Sequence, residues 1–299
     1  MPILLLMLAL VASDASASRW SRPEFAGVLT DPELSEVSGL AASRVHPGLY
    51  WAQNDGDNPE RLIAIRPDGT RVASLRVQGV RNIDWEDLDS FDLDGKHYLL
   101  LADTGDNGGI RKTLMFHVIE EPTELRDDAV LTPAWSVEFR WPDGARDCEA
   151  AVVDAAAGQV LLFSKKRVPP EVFVLPLHPA SDAGVLVAGK VAELRGIAQP
   201  SANDLKQNPV YGRYRSQVSG ADLSPNGRVL AILNYHSVHL YVRQPGQAWA
   251  DALAKATPDE LILPWMPQAE GIAFSLDGRR LLIGGEQRPS PLIQFRVIK

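Results

Sequence analysis

The chain predicts an all-β fold, a β-propeller of five four-stranded blades, on three observations. One polar-patterned hairpin recurs five times, further strand-like runs follow each recurrence, and 23 glycines and 22 prolines punctuate the 299 residues. Apolar residues are 45 % of the chain and charged residues 23 %, the balance of a folded globular protein rather than a disordered one.

In order, the five recurrences are EVSGLAAS from Glu36, DWEDLDSF from Asp84, DCEAAVVD from Asp147, QVSGADLS from Gln217 and QAEGIAFS from Gln268. Aligned on their third residue, they place Ser38, Glu86, Glu149, Ser219 and Glu270 in one column. An apolar strand follows each: LYWAQ, HYLLLAD, QVLLFSK, RVLAILN and RRLLIGGE. These strands end at a second polar column, Asn54, Asp103, Lys165, Asn234 and Glu286, which stands 16, 17, 16, 15 and 16 residues after the first. Third strands read as RLIAIRP, LMFHVIEEP, EVFVLPL, VHLYVR and LIQFRVI, and fourth strands as TRVASLRV, AWSVEFRW, VLVAGKVAEL and DELILP. The fifth unit runs out of chain after three strands, and FAGVLT at residues 25–30 can complete it. Closing the ring with strands from both termini removes open sheet edges. Residues 196–217 hold no clear strand and read as an insertion. A degenerate sixth blade there is the competing architecture, and two sandwiches with chance similarities are a further one. Residues 249–260 read as a short helix on the rim.

Ahead of the repeats, residues 3–12 (ILLLMLALVA) are too short to cross a bilayer, which takes about 20 apolar residues. Ala15-Ser16-Ala17 follows as a small-x-small cleavage pattern, so residues 1–17 read as a signal peptide and 18–299 as one domain. A buried first strand is the alternative reading of that run. The expected protein is a periplasmic or secreted monomer without membrane insertion. A formal charge of −8 supplies no basic face for nucleic acid. The lone cysteine, Cys148, excludes a disulfide framework and reads as a small buried hydrophobe between two carboxylates.

Antiparallel blades place the loop entering the inner strand and the loop between the second and third strands on one face of the disc. Both polar columns should therefore ring one mouth of the central channel. Period-2 alternation adds Glu36, Asp84, Asp147, Gln217 and Gln268, two residues before the first column. The mouth also gathers Asp87 and two loops of pattern [N/D]-x-G-D-N, Asn54–Asn58 and Asp103–Asn107. So many carboxylates need protons, bases or a divalent cation beside them. Hard oxygen ligands on glycine turns suit Ca²⁺, with Glu36, Asn54, Asp55, Asp84, Asp103 and Asp106 as candidate ligands. Turn capping without a metal is the other reading of those residues. Lys165 reads either as the ion-pair partner of Glu149 or as a grip on an anionic substrate group, with Arg111 and Arg288 near. Glu86, Glu149, Glu270, Lys165 and His236 are the candidate catalytic residues. A zinc site at His236 and His239 is disfavoured, because odd spacing on a strand sends the two side chains to opposite faces.

The runs SGLAASR, LYWAQNDGDN, DWEDLDS and YLLLADTGDNG resemble exported bacterial β-propellers of phytase-like type. D-W-E-D and G-D-N are the most specific elements, and the likeness runs from Glu36 onward. Gluconolactonase-like propellers are similar more loosely. Their divalent cation, held by acids and an asparagine around the channel, implies Glu36, Asn54, Asp103, Glu149 and Glu270 as counterparts. The resemblance implies a six-bladed fold in the chemically characterised relatives, against five units here.

Three functions follow as expectations. One is a Ca²⁺-dependent hydrolase of a small anionic ester, phosphoester or lactone. The second is a non-catalytic propeller binding a ligand or an envelope component, with Trp51, Tyr211, Tyr214 and Tyr235 as stacking surfaces and Trp85 more a blade-core residue. The third is a scaffold in which the acids serve stability alone.

Overall fold

In the computed structural model, which describes residues 19–266 and 268–298, the chain forms five antiparallel blades around an axis. The signal peptide expected over residues 1–17 lies outside the described residues. The inner strands are Val37–Ala42, Trp85–Leu93, Cys148–Asp154, Val218–Leu223 and Ala269–Phe274, one from each repeat. Each pairs with the following strand, as the repeats predict. In the fifth blade Glu24–Leu29 pairs antiparallel with Ser290–Ile298, so the N-terminal strand completes the ring. The insertion carries a helix, α1 (Ala202–Gln207), and a single 3₁₀ turn, Gly212–Tyr214, with no strand. Five blades stand, not six.

The apolar core is five separate wedges, each shared by two neighbouring blades. Trp51 and Trp85 fill the wedge between blades 1 and 2, and both are fully buried. Trp51 is therefore not a stacking surface; its Nε1 donates to Glu121 Oε1 at 2.8 Å. The expected rim helix is α2 (Trp249–Lys255), whose Trp249 is buried in the wedge between blades 3 and 4. Near the axis inner strands crowd. A Cβ on Gly220 would collide with the carbonyl of Glu270 in the next blade.

Two features escaped the repeat pattern. Val130–Leu131 adds a parallel strand to the outer edge of blade 1, although it belongs to the segment that builds blade 2. Leu186–Val187 does the same for blade 2 from the chain of blade 3. VLVAGKVAEL thus splits: its start covers a neighbour's edge, and Gly189–Glu193 forms the fourth strand of blade 3. Both clips cover sheet edges that would otherwise be open to pairing.

A β-bulge sits at the same place in all five blades. Val37 pairs with Asn54 and Gly39 with Gln53, which leaves Ser38 as the extra residue. Glu86, Glu149 and Ser219 are bulged likewise, and in blade 5 the extra residue falls within Glu270–Gly271. Bulges re-aim side chains and add twist. The first polar column is therefore a column of bulges, and strict alternation fails there.

Candidate functional site

The bulged acids meet on the axis. Ser38 Oγ donates to Glu86 Oε2 at 3.2 Å, and Lys165 Nζ pairs with Glu149 Oε1. Tyr235 OH donates to Glu270 Oε1 at 2.7 Å, and the Lys165 ammonium lies 5.7 Å from the Tyr235 ring centre. Two groups of three carboxylates share Glu86: Asp55, Asp84 and Glu86 on one side, and Glu86, Asp147 and Glu149 on the other. In each group, one oxygen per residue lies within 4.8 Å of the others. Both [N/D]-x-G-D-N glycines serve this cluster. A Cβ on Gly105 would strike the carboxylates of Glu86 and Asp84, and one on Gly56 would come within 2.7 Å of Asp84 Oδ1. The acids rest directly on the backbone of the two loops.

Crowding and burial push these acids up. Burial first, then Glu149 and Asp55, hold Glu86 well above the carboxylate range. Asp55 rises to about 7, chiefly through burial, with Glu286 and Asp84 adding to it. Burial and Asp147 bring Asp84 to about 6. Glu149 reaches about 7 through burial, despite the opposing Lys165 ammonium. Glu270 is raised well above its ordinary value by burial and by Glu149. Lys165 moves upward because the attraction of Glu149, Glu270 and Glu86 outweighs its own burial.

The remaining candidate ligands have other duties. Asn54 Oδ1 accepts from the Glu36 amide at 3.2 Å, and its Nδ2 donates to Glu33 O at 2.7 Å. Glu36 Oε2 accepts from Asn58 Nδ2 at 2.7 Å. Asp103 accepts from the Asp84 amide at 3.2 Å and pairs with Arg111 at 2.7 Å. Asp106 accepts the amides of Ile110 and Arg111 at 2.8 and 3.1 Å, closing its own loop. These four hold loops in shape and belong to neither three-carboxylate group.

Register explains the split. Asp147 and Gln268 face Lys165 and Glu286, whose amides donate to their carbonyls. By the same antiparallel register, Glu36 faces Asp55, Asp84 faces Thr104 and Gln217 faces Tyr235. The second column is thus Asp55, Thr104, Lys165, Tyr235 and Glu286, of which Thr104 is fully buried with its Oγ1 donating to Cys148 O at 2.8 Å. In blades 1, 2 and 4 the sequence alignment stops one residue short, at side chains that cap the turns. Asp55, Thr104 and Tyr235 are the members that column missed.

Asp87, expected at the mouth, sits in the channel below it. Its Oδ2 accepts the amides of Ala151 and Ala221 at 2.9 and 3.2 Å, joining blade 2 to blades 3 and 4. Asp89 accepts from Val153 at 2.6 Å, and Asp222 from Phe274 at 2.5 Å. Cys148 is fully buried with its thiol pushed up to about 12, as expected of a structural hydrophobe.

Over the mouth, the insertion and the loop before blade 5 enclose a cavity of about 710 Å³. Asp55, Glu149, Lys165, Tyr235, Glu270 and Glu286 line its axial side, and Tyr211, Tyr214 and Trp265 its outer side. His236 is half-buried on its wall, with its pKa lowered by burial and by Arg215. His239 is buried, with Nε2 3.1 Å from Asn234 Nδ2 and from Ser237 Oγ, away from that wall. Four bases around the mouth are paired. Lys165 is held by Glu149, Lys166 by Asp147 at 2.9 Å, Arg111 by Asp103, and Arg215 by Asp204.

No family model and no curated protein matches the chain. Among solved structures the chain is similar to that of U3-55K, at 15 % identity, over 87 % of this chain and 67 % of that one, with a TM-score of 0.37. The propeller assignment rests on the chain's own five sheets. Among the described residues no helix is long and apolar enough to cross a membrane.

Proposed function

We propose that the axial mouth is a Ca²⁺-dependent small-molecule site of an exported propeller, phytase-like or gluconolactonase-like in type, that hydrolyses a small ester, phosphoester or lactone. The observation that carries this reading is Glu86, shared by two three-carboxylate groups beneath a cavity, with Lys165 the one base against Glu149. Asp55, Asp84 and Glu86 would hold the ion, and Glu86, Asp147 and Glu149 form the second group able to do so. An all-oxygen donor set suits Ca²⁺. The glycine cradle fits such a group, as do acids that stay ionised only beside positive charge. When bound, the ion supplies positive charge that polarises a carbonyl or phosphoryl oxygen.

The chain supplies the rest. Lys165 pairs directly with Glu149 and opposes the rise that burial imposes on it. Tyr235 holds Glu270 Oε1 in place, which orients this group at the cavity; once a positive charge beside it has ionised it, it would serve as the general base for an attacking water. His236, kept neutral by its lowered pKa, accepts or returns a proton from the cavity wall. With Lys165, Lys166, Arg111 and Arg215 paired, an anionic group would be gripped through the ion rather than by one of these side chains.

A second reading, capture of an envelope component without turnover, is favoured by one observation. Trp265 is 79 % exposed and Tyr211 53 % exposed at the cavity rim, where they offer contact area and no chemistry. A screen of phosphomonoesters, carboxylic esters and lactones, with Ca²⁺ and with EDTA, separates the two. Hydrolysis that EDTA abolishes and Glu270→Gln lowers at least about a hundredfold supports the enzyme. Saturable ligand binding with no turnover supports the second reading.

A further inference from the structure

We propose that the cavity over the mouth receives an organic cation, an alkylammonium or guanidinium group on an apolar stem, with Glu270 and Glu286 as its anionic seat. This reading rests on the proposed site only for its location; Tyr235 takes Glu270 Oε1, so a cation on Oε2 and general-base action by the same carboxylate are alternatives.

Charge accounting points this way. The lysines and arginine lining the cavity are all committed: Lys165 to Glu149, Lys166 to Asp147, and Arg215 to Asp204, and the pKa of His236 is lowered. Glu270 and Glu286 line the same cavity and pair with no base among the described residues. Glu270 is 2 % exposed, and its Oε2 has no hydrogen-bond partner, while Oε1 is satisfied by Tyr235. A buried carboxylate oxygen left without a donor is costly, so its natural complement is a ligand N–H. The Glu286 carboxylate helps to raise Glu270, and neighbouring carboxylates need a proton or a positive group beside them. Gln268 Nε2 donates to Glu286 Oε2, which is the neutral help the pair receives from its own blade.

The walls match the same ligand. Trp265 and Tyr211 expose their rings at the cavity, and an aromatic face within about 6 Å attracts a cation while its ring packs on the attached carbons. The Tyr214 ring already carries the Arg213 guanidinium at 5.4 Å, which leaves Trp265 and Tyr211 as the open faces.

The test titrates putrescine, agmatine and Nα-acetyl-lysine methylamide into the protein at pH 8, following Trp fluorescence and heat, with glutarate as the anionic control. Each titration is run with EDTA and with saturating Ca²⁺, and the Ca²⁺-dependent melting shift is read separately. The amines should bind saturably and glutarate should bind at least about tenfold more weakly. Glu270→Gln should weaken the amines by at least about tenfold, the loss of one charged hydrogen bond. Trp265→Ala, at an exposed site that leaves folding intact, should weaken them several-fold. Absent amine binding, tighter binding of glutarate, or amine affinity unmoved by both substitutions overturns the inference. A Ca²⁺ melting shift without amine binding sinks this inference alone, whereas amine binding without that shift sinks the Ca²⁺ reading alone.

Discussion

Two layers of buried carboxylates line the axis, and they behave oppositely. In the lower layer Asp87, Asp89 and Asp222 each accept backbone amides from a neighbouring blade. In the upper layer Asp55, Asp84, Glu86, Glu149 and Glu270 crowd one another beneath a cavity, with Lys165 as the counter-charge. Burial raises acids in both layers. Burial alone therefore does not mark a functional acid. An acid whose oxygens are consumed by amides is a fastener between blades, whereas the acids beneath the cavity crowd one another around Lys165.

The largest expected effect lies in the lower layer. Asp87→Ala strips the acceptor from the amides of Leu88, Ala151 and Ala221 and should cost about 3 kcal/mol or more, read by chemical denaturation. Glu86→Gln, one residue away, keeps an acceptor for Ser38 and removes a crowded charge. It should change metal-free stability by no more than about 1 kcal/mol, in either direction. Equal destabilisation by the two substitutions would erase the distinction between the layers.

A smaller effect is the pH profile of the metal-free protein. Asp55 and Glu149 titrate at about 7 and Asp84 at about 6 in the fold, above their ordinary values of 3.8, 4.5 and 3.8. Between about pH 4 and 7 the folded state binds more protons than the unfolded one, so stability falls as pH rises through that window. Their contribution is complete below pH 4 and gone above about 7. Thermal melts from pH 5 to 8 should show the decline, and Ca²⁺ should flatten it. A metal-free profile that rises over this window would contradict the upper layer as drawn.

Much of this was legible in the residues. The recurring hairpins gave the blade count, and the shortfall in the last unit pointed to the N-terminal strand that closes the ring. Convergence of Glu86, Glu149 and Glu270 followed from the first column. The second column was harder, because one bulge per blade breaks the two-residue alternation and the loops differ in length by a residue. Asn54, Asp103 and Asn234 look equivalent to Lys165 and Glu286, but stand one step earlier and cap turns. A search for polar or aromatic residues 18 to 20 positions after Glu36, Asp84, Asp147, Gln217 and Gln268 would have found Asp55, Lys165, Tyr235 and Glu286. The edge clips at Val130–Leu131 and Leu186–Val187 are two residues long, below any periodic signal. In the insertion, Ser201 and Asp204 form a capping box whose spacing marks the start of α1.

Calorimetric titration of Ca²⁺ into EDTA-treated protein at pH 6, for wild type and Glu86→Gln in parallel, tests the central claim most directly. The account predicts saturable binding in the wild type, proton release as the raised acids ionise, and loss of both in the variant. No binding by the folded wild type, or identical binding by Glu86→Gln, would contradict it.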